Sequence, residues 1–128
     1  MAQKLNWTFT AQVQGGPKIV TTQNLEIDAY DKIEMDVAND GSGNTVDIQP
    51  GADTDVLLLV ITSNLYGEDL TYKAKDGGSE SSEIPLTAPQ IFSGTGAVGL
   101  MGVAPKQLVI TNNLADAATV QVLVGRKA

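Results

Sequence analysis

The chain has 128 residues, which fits one domain with a real core. It contains no cysteine and no histidine, which excludes disulfides, thiolate metal sites, Cys or Ser–His nucleophiles and the commonest general base. Fifteen acidic residues against eight basic ones give a formal charge of −7. Phosphate backbones are held by Lys and Arg, so this balance argues against nucleic acid as a primary partner.

In the N-terminal "MAQKLNWTFTAQVQ", Asn, Thr and Gln interrupt the apolar positions, so no signal-peptide apolar core is expected. Leu5, Trp7, Phe9, Ala11 and Val13 alternate with polar residues, the side-chain period of a strand. Trp7 and Phe9 are expected in the core. "GGP" at 15–17 stops that strand, and is a candidate hinge for an arm exchanged with a neighbouring subunit. "KIVTTQNLEIDAY" resumes with Leu25, Ile27 and Ala29 inward, and "KIEMDV" repeats the alternation with Ile33, Met35 and Val37. "ANDGSGN" is a turn and "TVDIQPG" a short strand closed by Pro50 and Gly51.

"DVLLLVITS" is apolar without interruption from Val56 to Ile61, as in a strand covered on both faces or lying at a subunit contact. The run is far short of a membrane span. "DLTYKAK" alternates, "DGGSESSE" is a hairpin tip or loop, and "IPLTAPQIF" is extended. "GAVGLMG", "KQLVITN" and "ATVQVLVGR" complete a count of nine or ten short strands. No segment sustains a helical period. The expected fold is all-β, a two-sheet antiparallel β-sandwich formed by residues 1–128 as a single domain, with the jelly roll as one form of it.

Gly94-x-Gly96-x-x-Gly99 has the spacing of a dinucleotide fingerprint, but such a site needs a helix opening on the glycines, and Gly99, Gly102 and Pro105 oppose one. The glycines are instead expected to relieve crowding at strand bends. Asp40, Ser42, Asn44 and Asp47 fall at calcium-loop spacing, with Asp28, Asp31 and Asp36 upstream, yet the twelfth position is Gly51 rather than Glu. Glu26, Glu34, Glu68 and Asp69 are carboxylates of the kind glycoside hydrolysis uses, but their positions on alternating strands and in loops indicate no shared cleft. No catalytic residue, cofactor or metal is assigned, and the chain reads as a non-enzyme.

Leu100, Met101 and Val103 are nearly consecutive, and strand alternation cannot hide all three in one core. With "VLLLVI" they imply more apolar surface than a small sandwich covers, so they are candidate interface residues. Tyr66, in "SNLYGEDL", is the best candidate for an exposed aromatic contact.

"APQIFSGTGAVGLMGVAPKQLVITNN" followed by "TVQVLVGRKA", covering Pro89 to Arg126, resembles the small capsid decoration or cement proteins of tailed bacteriophages in the order and spacing of its short strands. The resemblance implies a β-sandwich or jelly roll made in the host cytoplasm and carried on the virion. It implies a homo-oligomer, a trimer, that binds the major capsid protein on the outside of the shell and clamps neighbouring capsomers. It transfers no site residue. The alternatives are a carbohydrate-binding or adhesion module using the loop from Asn64 to Asp69, and a phage tail component.

Overall fold

A computed structural model describes residues 3–48 and 56–127. The expected closure of the fourth strand at Pro50 and Gly51 lies outside them. The described chain forms β1 (Gln3–Gln12), β2 (Lys18–Ile27), β3 (Ala29–Val37), β4 (Gly43–Asp47), β5 (Val56–Ser63), β6 (Leu70–Asp76), β7 (Ser79–Glu80), β8 (Ile84–Pro85), β9 (Gln90–Ser93), β10 (Gln107–Asn112) and β11 (Ala118–Arg126). One helical turn, α1 (Thr95–Val98), and a 3-10 turn at Gly99–Met101 sit between β9 and β10.

Two antiparallel sheets make the body. The first has the order β3–β11–β5–β9; in the second, β4–β10–β6 is followed by β7 and β8, which both pair with β6. With β7 and β8 counted as one interrupted strand, the body has eight strands. Its sheet orders become first–eighth–third–sixth and second–seventh–fourth–fifth, the winding of a jelly roll.

Alternation explains the core. In β11, Val120, Val122 and Val124 point inward, and Val122 and Val124 stand opposite Ile61 and Leu59 of β5. They meet Leu108 and Ile110 of β10 and Leu70, Tyr72 and Ala74 of β6 from the facing sheet. Each large apolar side chain so buried stabilises the fold by about 1.5–3 kcal/mol. Two polar ties cross between the sheets. The Tyr72 hydroxyl donates to Gln90 Oε1 on β9, and Gln90 Nε2 donates to the Pro85 carbonyl at 2.8 Å. At the other end, buried Asn112 of β10 donates to the Val37 carbonyl of β3 at 3.0 Å.

Three expectations are corrected. "GAVGLMG" is not a strand but α1 plus the 3-10 turn. This short stretch turns its side chains by roughly 100–120° per residue, not 180°; Val98 and Met101 are thereby buried while Leu100 points out. Its glycines do not relieve crowding: a Cβ on Gly94, Gly96, Gly99 or Gly102 would meet nothing within 4 Å. Gly94 and Gly102 are instead required by φ values of 89° and 79°, where the chain enters and leaves the turns. Finally, Trp7 and Phe9 are not in the main core, because β1 and β2 pair only with each other and lie outside the sandwich.

Candidate functional site

β1 and β2 form a two-stranded ribbon, in register from Gln3↔Ile27 to Gln12↔Lys18. Ten residues per strand give a length of about 33 Å. "GGP" closes it as a hairpin turn, with Val13 N donating to the Pro17 carbonyl at 2.9 Å and Gly16 N to the Val13 carbonyl at 2.7 Å. The proposed hinge at that position is therefore the tip of the ribbon. The connection to the body is the single residue Asp28, whose backbone N donates to the Arg126 carbonyl at 2.8 Å.

The period of two sorts the ribbon into two faces. Leu5 and Leu25, Trp7 and Gln23, Phe9 and Thr21, and Ala11 and Ile19 pair across one face. The other carries Lys4 and Glu26, Asn6 and Asn24, Thr8 and Thr22, and Gln12 and Lys18, with Val20 opposite Thr10. The apolar face turns toward the outer surface of the first sheet. At the root, Gly125 of β11 lets the ribbon approach: a Cβ there would lie 3.3 Å from Ile27 Cγ2 and 3.5 Å from Leu5 Cδ1. Leu58, opposite Gly125 in register, is fully buried yet separate from the main core. The apolar run in β5 is thus covered on its outer side at Leu58, whereas Leu57 and Val60 stay half-buried.

Farther along, Ser93 Oγ donates to Gln23 Oε1 at 3.1 Å. Here a groove of about 410 Å³ opens between Trp7, Phe9 and Thr21 on the ribbon and Pro89, Ile91, Ser93 and Ala97 on the body. Trp7 Nε1 is buried without an acceptor, a state that costs about 1–3 kcal/mol. From Phe9 at the mouth of the groove toward the tip the described ribbon becomes largely exposed: Phe9 is 44% exposed, Val13 65%, Ile19 63% and Val20 55%. A lone two-stranded ribbon is at best marginal in water, and apolar side chains at its tip add surface that asks for a partner.

The interface candidates divide. Leu100 is 82% exposed, and its i−3 neighbour Ala97 lines the groove, so Leu100 extends the same side of the short helical segment. Met101 is buried in the core and Val103 packs against it. Tyr66 was expected to be exposed; it is half-buried against the core, and its hydroxyl accepts the Ser63 N–H at 3.0 Å, which steadies the β5–β6 loop. The sequence reading missed Val13, Ile19 and Val20 as surface groups. Their exposure depends on the ribbon leaving the body, which no local pattern encodes.

The other candidate clusters do not converge. Asp40 Oδ1 accepts both Ser42 N at 3.0 Å and Ser42 Oγ at 2.7 Å, and these bonds, the backbone one foremost, hold its carboxyl below the usual carboxylate range. Asn44 Nδ2 donates to the carbonyls of Ser42 and Ile110, while Asp47 Oδ1 accepts from Gln107 Nε2 at 2.8 Å. These oxygens serve the β3–β4 turn and the β4 edge. No three acidic residues gather as a metal site among the described residues. Glu34 accepts from Gln121, while Glu26 is exposed on the polar face of the ribbon. Glu68 and Asp69 lie in the β5–β6 loop, where the Asp69 carbonyl accepts the Asn113 N–H at 2.9 Å. A polar groove at Thr62, Ser63, Asn64, Thr119 and Gln121 contains no aromatic platform for a sugar. A second groove at Val56, Thr95, Val98 and Val103 contains no titratable side chain among the described residues.

No family model, curated protein or solved structure matches the chain.

Proposed function

We propose that the chain is a capsid decoration protein of a tailed bacteriophage, a homo-oligomeric jelly roll that binds the outside of the head and stabilises contacts between capsomers. The observation that carries this reading is the ribbon: a two-sheet body presents a two-stranded arm with one apolar face, and Val13 and Ile19 at its tip are largely exposed. Such an architecture suits adhesion between subunits rather than turnover of a small molecule. An oligomer of rigid bodies binds a symmetric shell through several weak contacts at once, which raises avidity by about 10² or more without a strong single contact. The excess of acidic residues keeps a densely decorated particle soluble.

The test is pelleting of the purified protein with expanded phage heads that lack decoration. Saturable binding at a fixed ratio to the major capsid protein, together with higher resistance of the heads to heat or dilution, is expected. Heads that pellet without the protein at micromolar concentration refute the proposal. An image of the bound protein distinguishes head from tail.

A further inference from the structure

We infer that the uncharged face shared by the ribbon, β9 and the α1 segment is the contact between copies of this chain. The distal ribbon of one copy, from Phe9 to Ile19, lies on the Ile91–Ala97–Leu100 surface of the next. This rests on the homo-oligomer part of the reading above and names the surface that performs it.

Charge distribution makes the first argument. Residues 5–17 and 84–105 contain no Asp, Glu, Lys or Arg, in a chain with 23 charged residues among 128. These two stretches are far apart in sequence but meet in space, because Trp7 and Phe9 face Pro89, Ile91 and Ala97 across one groove. Interface centres are depleted of charge in this way. Residues 3–27 carry Lys4 and Lys18 against Glu26, a net +1, whereas the remainder carries six basic and fourteen acidic residues, a net −8. Body against body would therefore bring like charges together. Ribbon against body brings a nearly neutral arm to an uncharged patch on an acidic molecule, so the arm is the part of this chain that a second copy accepts.

Area makes the second. The chain exposes 7226 Å², whereas a compact monomer of this mass exposes about 6500 Å². A ribbon about 33 Å long that stands off the body accounts for surface beyond the compact value, and a standard stable interface draws ~800 Å² from each partner. The groove supplies the third. It is open beside Phe9 and Ile91, which are 44% and 48% exposed on its two walls. A contact that joins ribbon to body between copies is head-to-tail, and closes into a ring when the rotation permits.

Sedimentation velocity and native mass of the full chain, without phage heads, test the inference. A discrete oligomer is expected. Ile19→Lys on the ribbon and Leu100→Lys on the body should each weaken it by about tenfold or more while leaving the circular dichroism spectrum unchanged, since both side chains are exposed. The absence of cysteine permits a second measurement that survives any loss of folding in the charged variants. Ile19→Cys and Leu100→Cys proteins, mixed and oxidised, should form the mixed disulfide in excess over either self-linked dimer. A wild-type monomer, an oligomer indifferent to both lysines, or no preference for the mixed disulfide overturns the inference. An oligomer that ignores phage heads retains it and removes the shell, whereas a monomer that still coats heads does the reverse.

Discussion

Replacing Asn112 by Ala should destabilise the fold by about 3–4 kcal/mol, because this buried side chain makes three hydrogen bonds. Asn112 is fully buried at the end of β10. Its Nδ2 donates to the carbonyls of Val37 and Asp116, each at 3.0 Å, and its Oδ1 accepts the Leu114 N–H at 2.8 Å. One side chain thus ties the second sheet to β3 of the first and shapes the turn into β11. Three bonds at about 1 kcal/mol net each give about 3 kcal/mol, and the buried Val37 carbonyl left without a donor adds to that. Domains of this size unfold with roughly 6–19 kcal/mol, so the loss is a large share of the total. With about 2.1 cal/mol/K of unfolding entropy per residue, it lowers the melting temperature by about 13 °C. Urea unfolding at matched protomer concentration measures it, with an unchanged slope confirming that the midpoint shift is stability. Asn113→Ala, its exposed neighbour, is the control and should shift stability by no more than about 0.5 kcal/mol. A loss below about 1 kcal/mol for Asn112→Ala would refute the assignment of this residue as the tie between sheets.

Three further outcomes are expected. Tyr72→Phe keeps the buried ring but orphans Gln90 Oε1, for a loss of about 1–2 kcal/mol at neutral pH in the same urea assay. Burial pushes the Tyr72 phenol well above its ordinary value of 10.0, so the native state keeps a proton that the unfolded chain releases. Wild-type stability should therefore fall as pH rises beyond 10.0, and Tyr72→Phe should flatten that fall; equal slopes would contradict it. Gly125→Val places atoms where Ile27 and Leu5 now lie, which should lift the ribbon root at a cost of about 1–3 kcal/mol. Faster amide exchange at Trp7 and Leu25, with β10 unchanged, would show it, and unchanged exchange would rule it out. The Lys73–Glu80 pair, 2.6 Å apart, is solvated, and its hydrogen bond raises Lys73 and lowers Glu80. The lowered carboxylate contributes above its ordinary 4.5 and loses that contribution as pH falls. The raised ammonium contributes below 10.5 and loses it as pH rises. Glu80→Gln should leave the thermal midpoint near pH 7 unchanged within error, because salt and water screen such pairs.

Much of the fold could be read from residue order because strand alternation is a local property. The inward set of β11 follows from "ATVQVLVGR" alone, and the turn at 38–42 follows from Asp40–Gly41 chemistry. The helical turn after β9 was not legible. Four residues of helix show no periodicity, and the same "GLMG" letters suit a strand equally until the positive φ values at Gly94 and Gly102 are known.

The candidate site shows where local reading stops. Alternation correctly sorted Leu5, Trp7, Phe9, Ala11 and Val13 onto one face, but it does not say what that face meets. A strand with one apolar face is compatible with a sandwich interior, with the outside of a sheet and with a second molecule. What decides among them is the partner strand: β1 pairs β2 alone, so the ribbon lies across the outer face instead of entering the interior. Cover then fades along its length, from Ile27 at the root, fully buried, to Val13 at the tip, largely exposed. The sequence does hold a trace of this in its charges, since both surfaces that meet at the groove lack them. A core strand needs its charges removed only from inward positions, so "KIEMDV" keeps them at every second residue. Strand β1 and the turn after it lack charge on both faces from Leu5 to Pro17, including positions that water could reach, and β2 adds only Lys18 near the tip and Glu26 at the root. That pattern is what the proposed contact between copies requires of the arm, whereas an ordinary exposed edge keeps charges on its solvent face.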